Sequence, residues 1–176
     1  NWNIQNNEEN RLKIIKILRQ YTPEIIFFPH FHDRHPDHLH THELVKEAAF
    51  YSGLKKIITT LNGKTQKEFR PKRNFHYMQT YTFEPSFISD ISDTFVRKMK
   101  AISSYSTQFY NPANKAENTF ISDKKFIEYI KARARFYGFQ AGVDYGEPFY
   151  MEEKIKLIPQ GLFNIWYVKT FIIRKR

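Results

Sequence analysis

The sequence contains no cysteine, which excludes disulfide bonds and thiolate metal sites. Any metal site would therefore need histidine, aspartate or glutamate ligands. The chain also lacks an apolar run of about 20 residues, the length that a bilayer-spanning helix requires. Its first ten residues, NWNIQNNEEN, have neither the basic nor the apolar part of a signal peptide. From these absences we expect a cytoplasmic protein with no membrane partner.

What the sequence has in excess is positive charge, with a formal net charge of +10 over 176 residues. Hydrophobic residues make up 41% of the chain, which is enough for the core of one domain. A basic surface attracts nucleic acid, phosphate or carboxylated metabolites. The basic residues are spread along the chain, however, and no nucleic-acid-binding motif accompanies them. Nucleic acid is therefore an unlikely partner.

The hydrophobic periodicity predicts alternating helices and strands. Glu8 to about Gln20 has helical spacing, Glu24–Pro29 is typical of a strand buried on both faces, and Pro36 begins a helix that ends near Ser52. Further along the chain we predict three strands and two helices: Ile57–Leu61, Phe75–Phe83, Ser86–Ile91, Ser92 or Asp93 to Ser104, and Ser122 or Asp123 to Tyr137, the last ended by Gly138. This order predicts α/β layers in one domain. Because a helix leads into the first buried strand, we also expect a β-α segment before it.

Six of the seven histidines lie between His30 and His42, where the first strand turns into a helix. Open α/β sheets bind their ligands at this end of a strand. His38 and His42 are four residues apart and share one side of the predicted helix. Clustered neutral imidazoles suit zinc, but a polar helix start with incidental histidines has the same composition. The residues alone leave both interpretations open.

Four stretches, taken in order, resemble the LmbE/PIG-L family of zinc-dependent N-deacetylases. Asp33-Arg34-His35-Pro36-Asp37-His38 resembles the second signature of this family. The other three stretches are the opening N-W-x-I-Q-N-x-x-E-N, the segment Thr80–Phe109 with F-x-P-S-F-I-x-D-I-S, and the segment Phe126–Phe149 with R-A-R-x-x-G and Y-G-E-x-F. The combination is most similar to the N-acetylglucosaminyl-malate deacetylases of bacillithiol biosynthesis. It covers nearly everything from Asn1 to Phe149, and residues 150–176 diverge.

The resemblance implies a Rossmann-like three-layer α/β/α domain that hydrolyses the N-acetyl group of an amino-sugar conjugate with Zn²⁺. His38 would bind the zinc, and His35, as an imidazolium, would stabilise the oxyanion of the tetrahedral intermediate. Asp37 would orient a histidine, which fixes the tautomer of the imidazole. The resemblance also implies a homo-oligomer for the complete protein.

On the substrate side, the resemblance assigns Arg34 to the malate carboxylates, because a planar guanidinium pairs well with carboxylates. A tyrosine assists the oxyanion in this family, and Tyr145 is the candidate here. Arg133 and Arg135 are candidate substrate contacts, although salt bridges on the surface of a helix are the favoured alternative.

One departure from the family pattern affects the whole site. Family members carry an earlier A-H-P-D-D motif that supplies two zinc ligands and the general base, whereas the H-P-D of this sequence occurs once, at His35. We therefore expect an N-terminally incomplete domain that binds zinc weakly, deacetylates negligibly by itself and self-associates non-specifically. A degenerate sugar- or metal-binding remnant is the alternative, followed by a basic nucleic-acid-binding module.

Overall fold

Helices and short strands alternate along the chain, as the sequence predicts. The structure is a computed structural model that describes residues 3–112 and 119–154. Its elements are α1 (Glu8–Tyr21), β1 (Ile25–Pro29), α2 (Pro36–Ser52), β2 (Thr60–Leu61), β3 (Lys64–Thr65), β4 (Arg73–Tyr77), β5 (Phe87–Asp90), a 3-10 turn (Ser92–Thr94), α3 (Phe95–Ser103), α4 (Lys124–Ala141) and β6 (Gly146–Tyr150). The divergent tail lies outside the described residues from position 155 onward.

A mixed four-stranded sheet with the order β1-β4-β6-β5 forms the centre of the fold. β1 and β4 run parallel, with Phe27 opposite Phe75, and β6 is antiparallel to both β4 and β5. The predicted α/β class is therefore confirmed. The described residues contain no helix that is both long and apolar enough to cross a membrane.

The prediction that β1 is buried on both faces is wrong for the described part of the chain. Phe28 is 2% exposed, but Phe27 is 54% exposed and Ile25 45% exposed. Successive side chains of a strand point to opposite faces. Phe28 therefore packs against the ring of His42 in α2, while Phe27 lies on the other face against Phe75 and Phe149. β1 is the first strand in the sheet order and pairs there with β4 alone.

Helices α1 and α2 begin where the sequence predicts. The side chain of Asn7 accepts the amide of Asn10 at 2.9 Å, which caps α1, and Pro36 is the first residue of α2. The two helices pack together through Arg19, which is 6% exposed. Its guanidinium donates to the carbonyls of Ser52 and Leu54, at 3.0 and 2.9 Å, and so satisfies carbonyl groups at the end of α2.

The second half of the chain departs further from prediction. The predicted strands Ile57–Leu61 and Phe75–Phe83 shorten to β2 and β4, and the helix expected from Ser92 begins with a 3-10 turn. β6 is an element that the sequence pattern does not reveal, because Pro148 in its middle argues against a strand. β4 ends opposite Phe149, so Pro148 pairs with Ile88 of β5 and has no β4 partner.

The predicted helix end at Gly138 is also wrong, since α4 continues to Ala141 and is capped by Gly142 at φ 71°. Gly138 lies inside the helix because α4 crosses β6 there at very short range. A Cβ atom on Gly146 would lie 2.8 Å from the backbone nitrogen of Gly138 and 2.6 Å from Ile88. This pair of glycines fixes the distance between α4 and the sheet.

We predict that Gly146→Ala lowers the free energy of unfolding by about 1–3 kcal/mol, the usual cost of overpacking. The new methyl group would meet backbone atoms, which cannot rotate away. Gly53→Ala is the matched control, because its closest neighbours belong to the single exposed side chain of Arg70. Urea unfolding of the three proteins measures the effect, and an equal loss in both variants would contradict the proposed close contact.

Candidate active site

The histidine-rich turn lies at the carboxyl end of β1, as predicted. Pro29 pairs with Tyr77, so the chain that leaves β4, Met78–Thr80, runs beside the turn that leads into α2. Side chains from both segments meet in this region.

Asp33 connects the two segments. One carboxylate oxygen accepts the amide of Arg34 at 2.7 Å and lies 2.9 Å from Nδ1 of His38, and the other accepts the amide of Thr80 at 3.0 Å. Burial by itself would raise the pKa of Asp33, but the hydrogen bonds from Thr80, His38 and Arg34 outweigh it and lower the pKa. Asp33 is therefore a buried carboxylate that fixes the ring of His38.

His38 has the surroundings of a metal-binding histidine. Because Nδ1 donates to the anionic Asp33, Nε2 carries the lone pair, and the amide nitrogen of Gln79 lies 3.1 Å from it. A carboxylate on the second ring nitrogen is the usual support for a histidine that binds zinc. The residues described, 3–112 and 119–154, nevertheless bring together no group of three histidine, aspartate or glutamate side chains that could hold a metal ion.

His35 is the N-cap of α2, and its Nδ1 accepts the amide of Asp37 at 3.1 Å. Nδ1 must therefore carry a lone pair, which places the proton of the neutral ring on Nε2. The rings of His35 and His38 are 5.2 Å apart, so the two residues with predicted roles are neighbours.

The structure places Asp33, not Asp37, beside a histidine ring. Asp37 is 7% exposed, and its carboxylate faces the amide of Ile4 at 3.5 Å. Within the described residues, its position ties the start of the chain to the first turn of α2.

Arg34 and Arg133 lie on two adjoining cavities. Arg34 lines a cavity of about 800 Å³ and stacks over the ring of Phe120 at 4.4 Å. Arg133 lines a second cavity of about 310 Å³ together with His38. The guanidinium of Arg133 donates to the carbonyls of Gln79 and Met78, at 2.6 and 3.2 Å. Arg133 therefore holds the segment after β4 in place.

Arg135 and Tyr145 form a separate pair. Arg135 donates to the Tyr145 hydroxyl at 3.0 Å, and the Tyr145 ring stacks on Phe95 at 3.8 Å between centroids. Neither residue lines the cavity beside His38. The structure therefore does not bring these two predicted site residues to the histidines.

Three further histidines form a buried cluster beneath the turn. His30, His42 and His76 are each 5% exposed or less, and Nδ1 of both His42 and His76 faces the carbonyl of Pro29, at 2.9 and 3.3 Å. Burial and the nearby His42 lower the pKa of His76 to about 4, with partial opposition from the Pro29 carbonyl. Burial also lowers the pKa of His30. All three rings belong to the buried core.

Asp33 and Gln79 both contact the ring of His38, although the sequence predicts no role for either residue. Asp33 belongs to the D-R-H-P-D-H stretch, so a signal for it is present in the spacing of five residues before His38. Gln79 has no such signal. It is 41 residues away in the sequence and reaches His38 because β1 and β4 are parallel neighbours.

We predict that acid destabilises the fold through His76. Its pKa is lower in the folded protein than in the unfolded chain, so the unfolded state binds more protons between about pH 6.5 and 4. The free energy of unfolding therefore falls by about 1.4 kcal/mol per pH unit on acidification through this window because of this residue. Urea unfolding at several pH values should give a smaller slope for His76→Leu, with the exposed His40→Gln as control. An unchanged slope in His76→Leu would refute this.

Three comparisons relate the chain to known proteins. Residues 1–49 match the family model described as PIG-L, GlcNAc-PI de-N-acetylase. The chain is 27% identical over 146 residues to a diacetylchitobiose deacetylase from Thermococcus kodakarensis. The aligned part covers 79% of this chain and 49% of the archaeal protein. The chain thus spans about half the length of this curated relative.

The chain is also similar to solved structures. The conserved protein TT1542 from Thermus thermophilus superposes with a TM-score of 0.73 and 33% identity, covering 89% of this chain and 64% of its own. The N,N'-diacetylchitobiose deacetylase from Pyrococcus horikoshii superposes with a TM-score of 0.66 and 27% identity, covering 93% of this chain and 56% of its own. A 4-carboxy-2-hydroxymuconate hydratase from Pseudomonas putida shares the fold alone, with a TM-score of 0.67 and 15% identity over 86% of this chain and 61% of its own. With the histidine turn at the end of β1, these similarities show that the chain has the α/β fold of the PIG-L/LmbE deacetylases.

Proposed function

We propose that this chain carries the histidine side of the active site of a zinc-dependent N-deacetylase that acts on amino-sugar conjugates. The observation that carries the proposal is the Asp33–His38 pair beside His35 at the carboxyl end of β1. It is supported by the two archaeal relatives, both of which are named as diacetylchitobiose deacetylases. The chain is proposed to belong to the same family and to act in the cytoplasm.

Each histidine has a part that follows from its hydrogen bonds. Asp33 fixes Nδ1 of His38, so Nε2 is the nitrogen available to a metal. The helix amide occupies Nδ1 of His35, so Nε2–H is the donor available to the oxygen of the acetamide. A preorganised donor stabilises the charge that develops on that oxygen in the transition state. Because the two rings are 5.2 Å apart, one acetamide group can contact both.

In this proposal His38 is one of the metal ligands, and the described residues bring together no group of three possible ligands. We propose that the remaining ligands and the general base come from an A-H-P-D-D stretch, as the family resemblance implies, and that His38 joins them around the zinc. Zinc supplies an activated water and a polarised carbonyl to amide hydrolysis. The matched relatives are longer than this chain, which leaves room in their fold for such a stretch.

The conjugate is proposed to be N-acetylglucosaminyl malate, the substrate of the bacillithiol branch. Arg34 supports this substrate, because its guanidinium is held against Phe120 on the wall of a large cavity next to the histidines. A planar guanidinium can pair with a carboxylate through two hydrogen bonds. Diacetylchitobiose, which has no carboxylate, is the alternative that the relatives' names suggest.

The proposal predicts different roles for His35 and His38. The chain alone should release negligible acetate, and addition of the family's A-H-P-D-D segment, in frame or as a separate chain, should give zinc-dependent release from N-acetylglucosaminyl malate. In that protein His35→Ala should lower kcat by about 10² or more with zinc retained, since it removes an oxyanion donor. His38→Ala should instead remove the zinc. Acetate release and metal content are measured together.

The exposed His40→Ala on the same helix is the control, and it should keep both activity and zinc. Full activity of His35→Ala, or equal loss of zinc in the His35 and His38 variants, would refute the assigned roles. A complemented protein that binds zinc but deacetylates neither conjugate would favour a degenerate sugar- or metal-binding domain.

A second prediction identifies the conjugate. Arg34→Gln should raise KM for N-acetylglucosaminyl malate by about tenfold or more, the usual loss of a hydrogen bond to a charged group, and leave KM for diacetylchitobiose unchanged. Steady-state kinetics of the complemented protein with both substrates measures the difference. An equal effect on both conjugates would contradict a carboxylate-binding role for Arg34.

A further inference from the structure

The cavity beside His38 contains an ion pair that the proposed chemistry does not use. Lys98 of α3 and Glu147 of β6 pair through Nζ and Oε2, and both residues line this cavity of about 310 Å³. Their side chains are 29% and 16% exposed, so the pair is mostly withdrawn from water. Glu147 is held in place by the register of the sheet, in which it lies opposite Ser89 of β5.

Much of the wall around this pair is apolar. Met78, Ile102, Phe109 and Ile130 contribute to it. An ion pair in such surroundings adds little to stability, because desolvation cancels much of the attraction. Its charged atoms are, however, strong hydrogen-bonding groups for a ligand that enters the cavity.

The charges of the pair also restrict the kind of ligand. Glu147 neutralises Lys98, and the guanidinium of Arg133 in the same wall is engaged by the carbonyls of Met78 and Gln79. The cavity therefore offers one acceptor and one donor of balanced charge rather than an open cationic site. A neutral molecule with adjacent hydroxyl groups and apolar ring faces fits both the ion pair and the apolar wall.

We propose that Lys98 and Glu147 bind the ring hydroxyl groups of the amino sugar and thereby make this cavity the sugar subsite, an inference that rests on the proposed deacetylase function. A hydroxyl group donates to the Glu147 carboxylate and accepts from the Lys98 ammonium group, and the apolar faces of the ring lie against Ile102 and Phe109. A volume of about 310 Å³ is at the lower end of small-molecule sites, which suits one sugar ring.

The position of the neighbouring cavity supports the assignment of this cavity to the sugar. The two cavities share Thr80 and Phe126 in their walls, so they adjoin. The larger cavity carries Arg34, and the smaller carries His38 with the Lys98–Glu147 pair. A conjugate that spans both would place its sugar beside His38 and its anionic part beside Arg34.

The test uses the chain Asn1–Arg176 and free sugars, so it requires no zinc and no catalysis. Ligand-observed NMR titrations give Kd for N-acetylglucosamine and its 3-, 4- and 6-deoxy analogues with the wild type, Glu147→Gln and Lys98→Met. The double variant Glu24→Gln/Lys72→Met is the matched control, because it removes an exposed ion pair far from the cavity. Thermal unfolding shows whether each variant is folded.

We expect one deoxy analogue to bind the wild type about tenfold or more weakly than N-acetylglucosamine. Glu147→Gln or Lys98→Met should weaken N-acetylglucosamine by a similar factor and abolish the difference between the two sugars. A purely structural role of the pair would lower the unfolding temperature without this coupling. The control should bind all four sugars like the wild type.

Equal affinities for all four sugars, unchanged Kd in both cavity variants, or no binding by the wild type would each overturn the assignment of this cavity. The deacetylase proposal is judged separately, by acetate release from the complemented protein. Sugar coupling at Glu147 without acetate release would therefore retain the subsite and reject the activity. Acetate release without sugar coupling at Glu147 would retain the activity and reject the subsite.

Discussion

The buried carboxylate of Asp33 is the interaction on which the candidate site depends. It accepts the amides of Arg34 and Thr80 and holds the ring of His38, and so it joins the turn after β1 to the chain that leaves β4. Loss of this carboxylate would leave two backbone amides and an imidazole without an acceptor, and unmade hydrogen bonds of buried groups are costly. The same contact determines that Nε2 of His38 carries the lone pair.

Two features build the scaffold around this contact: α4 packs closely on β6, and histidine rings are buried in the core. Gly138 and Gly146 let α4 lie directly on β6, which brings Glu147 to the wall of the cavity that also contains His38. On the opposite side of the turn, His42 and His76 share the carbonyl of Pro29. They are part of the core, so a histidine-rich sequence yields one ring suited to metal binding and a separate buried cluster.

A fold shared with a hydratase at 15% identity shows why the fold alone does not determine the activity. The deacetylase proposal rests instead on the hydrogen bonds of His35 and His38, and the substrate proposal rests on two adjoining cavities with different charges. Arg34 lies in one cavity, and the neutralised Lys98–Glu147 pair lies in the other. A sugar conjugate with an anionic part matches both.

The sequence by itself determined α1, α2 and the position of the histidine turn, because caps, prolines and hydrophobic spacing act over a few residues. It also determined the α/β class and, through the D-R-H-P-D-H stretch, the choice of His35 and His38 as candidate site residues. Tertiary structure alone decided that β1 is the first strand of the described sheet, that β6 exists in spite of Pro148, and that Gln79 and Glu147 lie in the cavity with His38. These contacts join residues 41 and 109 positions apart, and only strand pairing and helix packing, which local sequence patterns do not encode, bring them together.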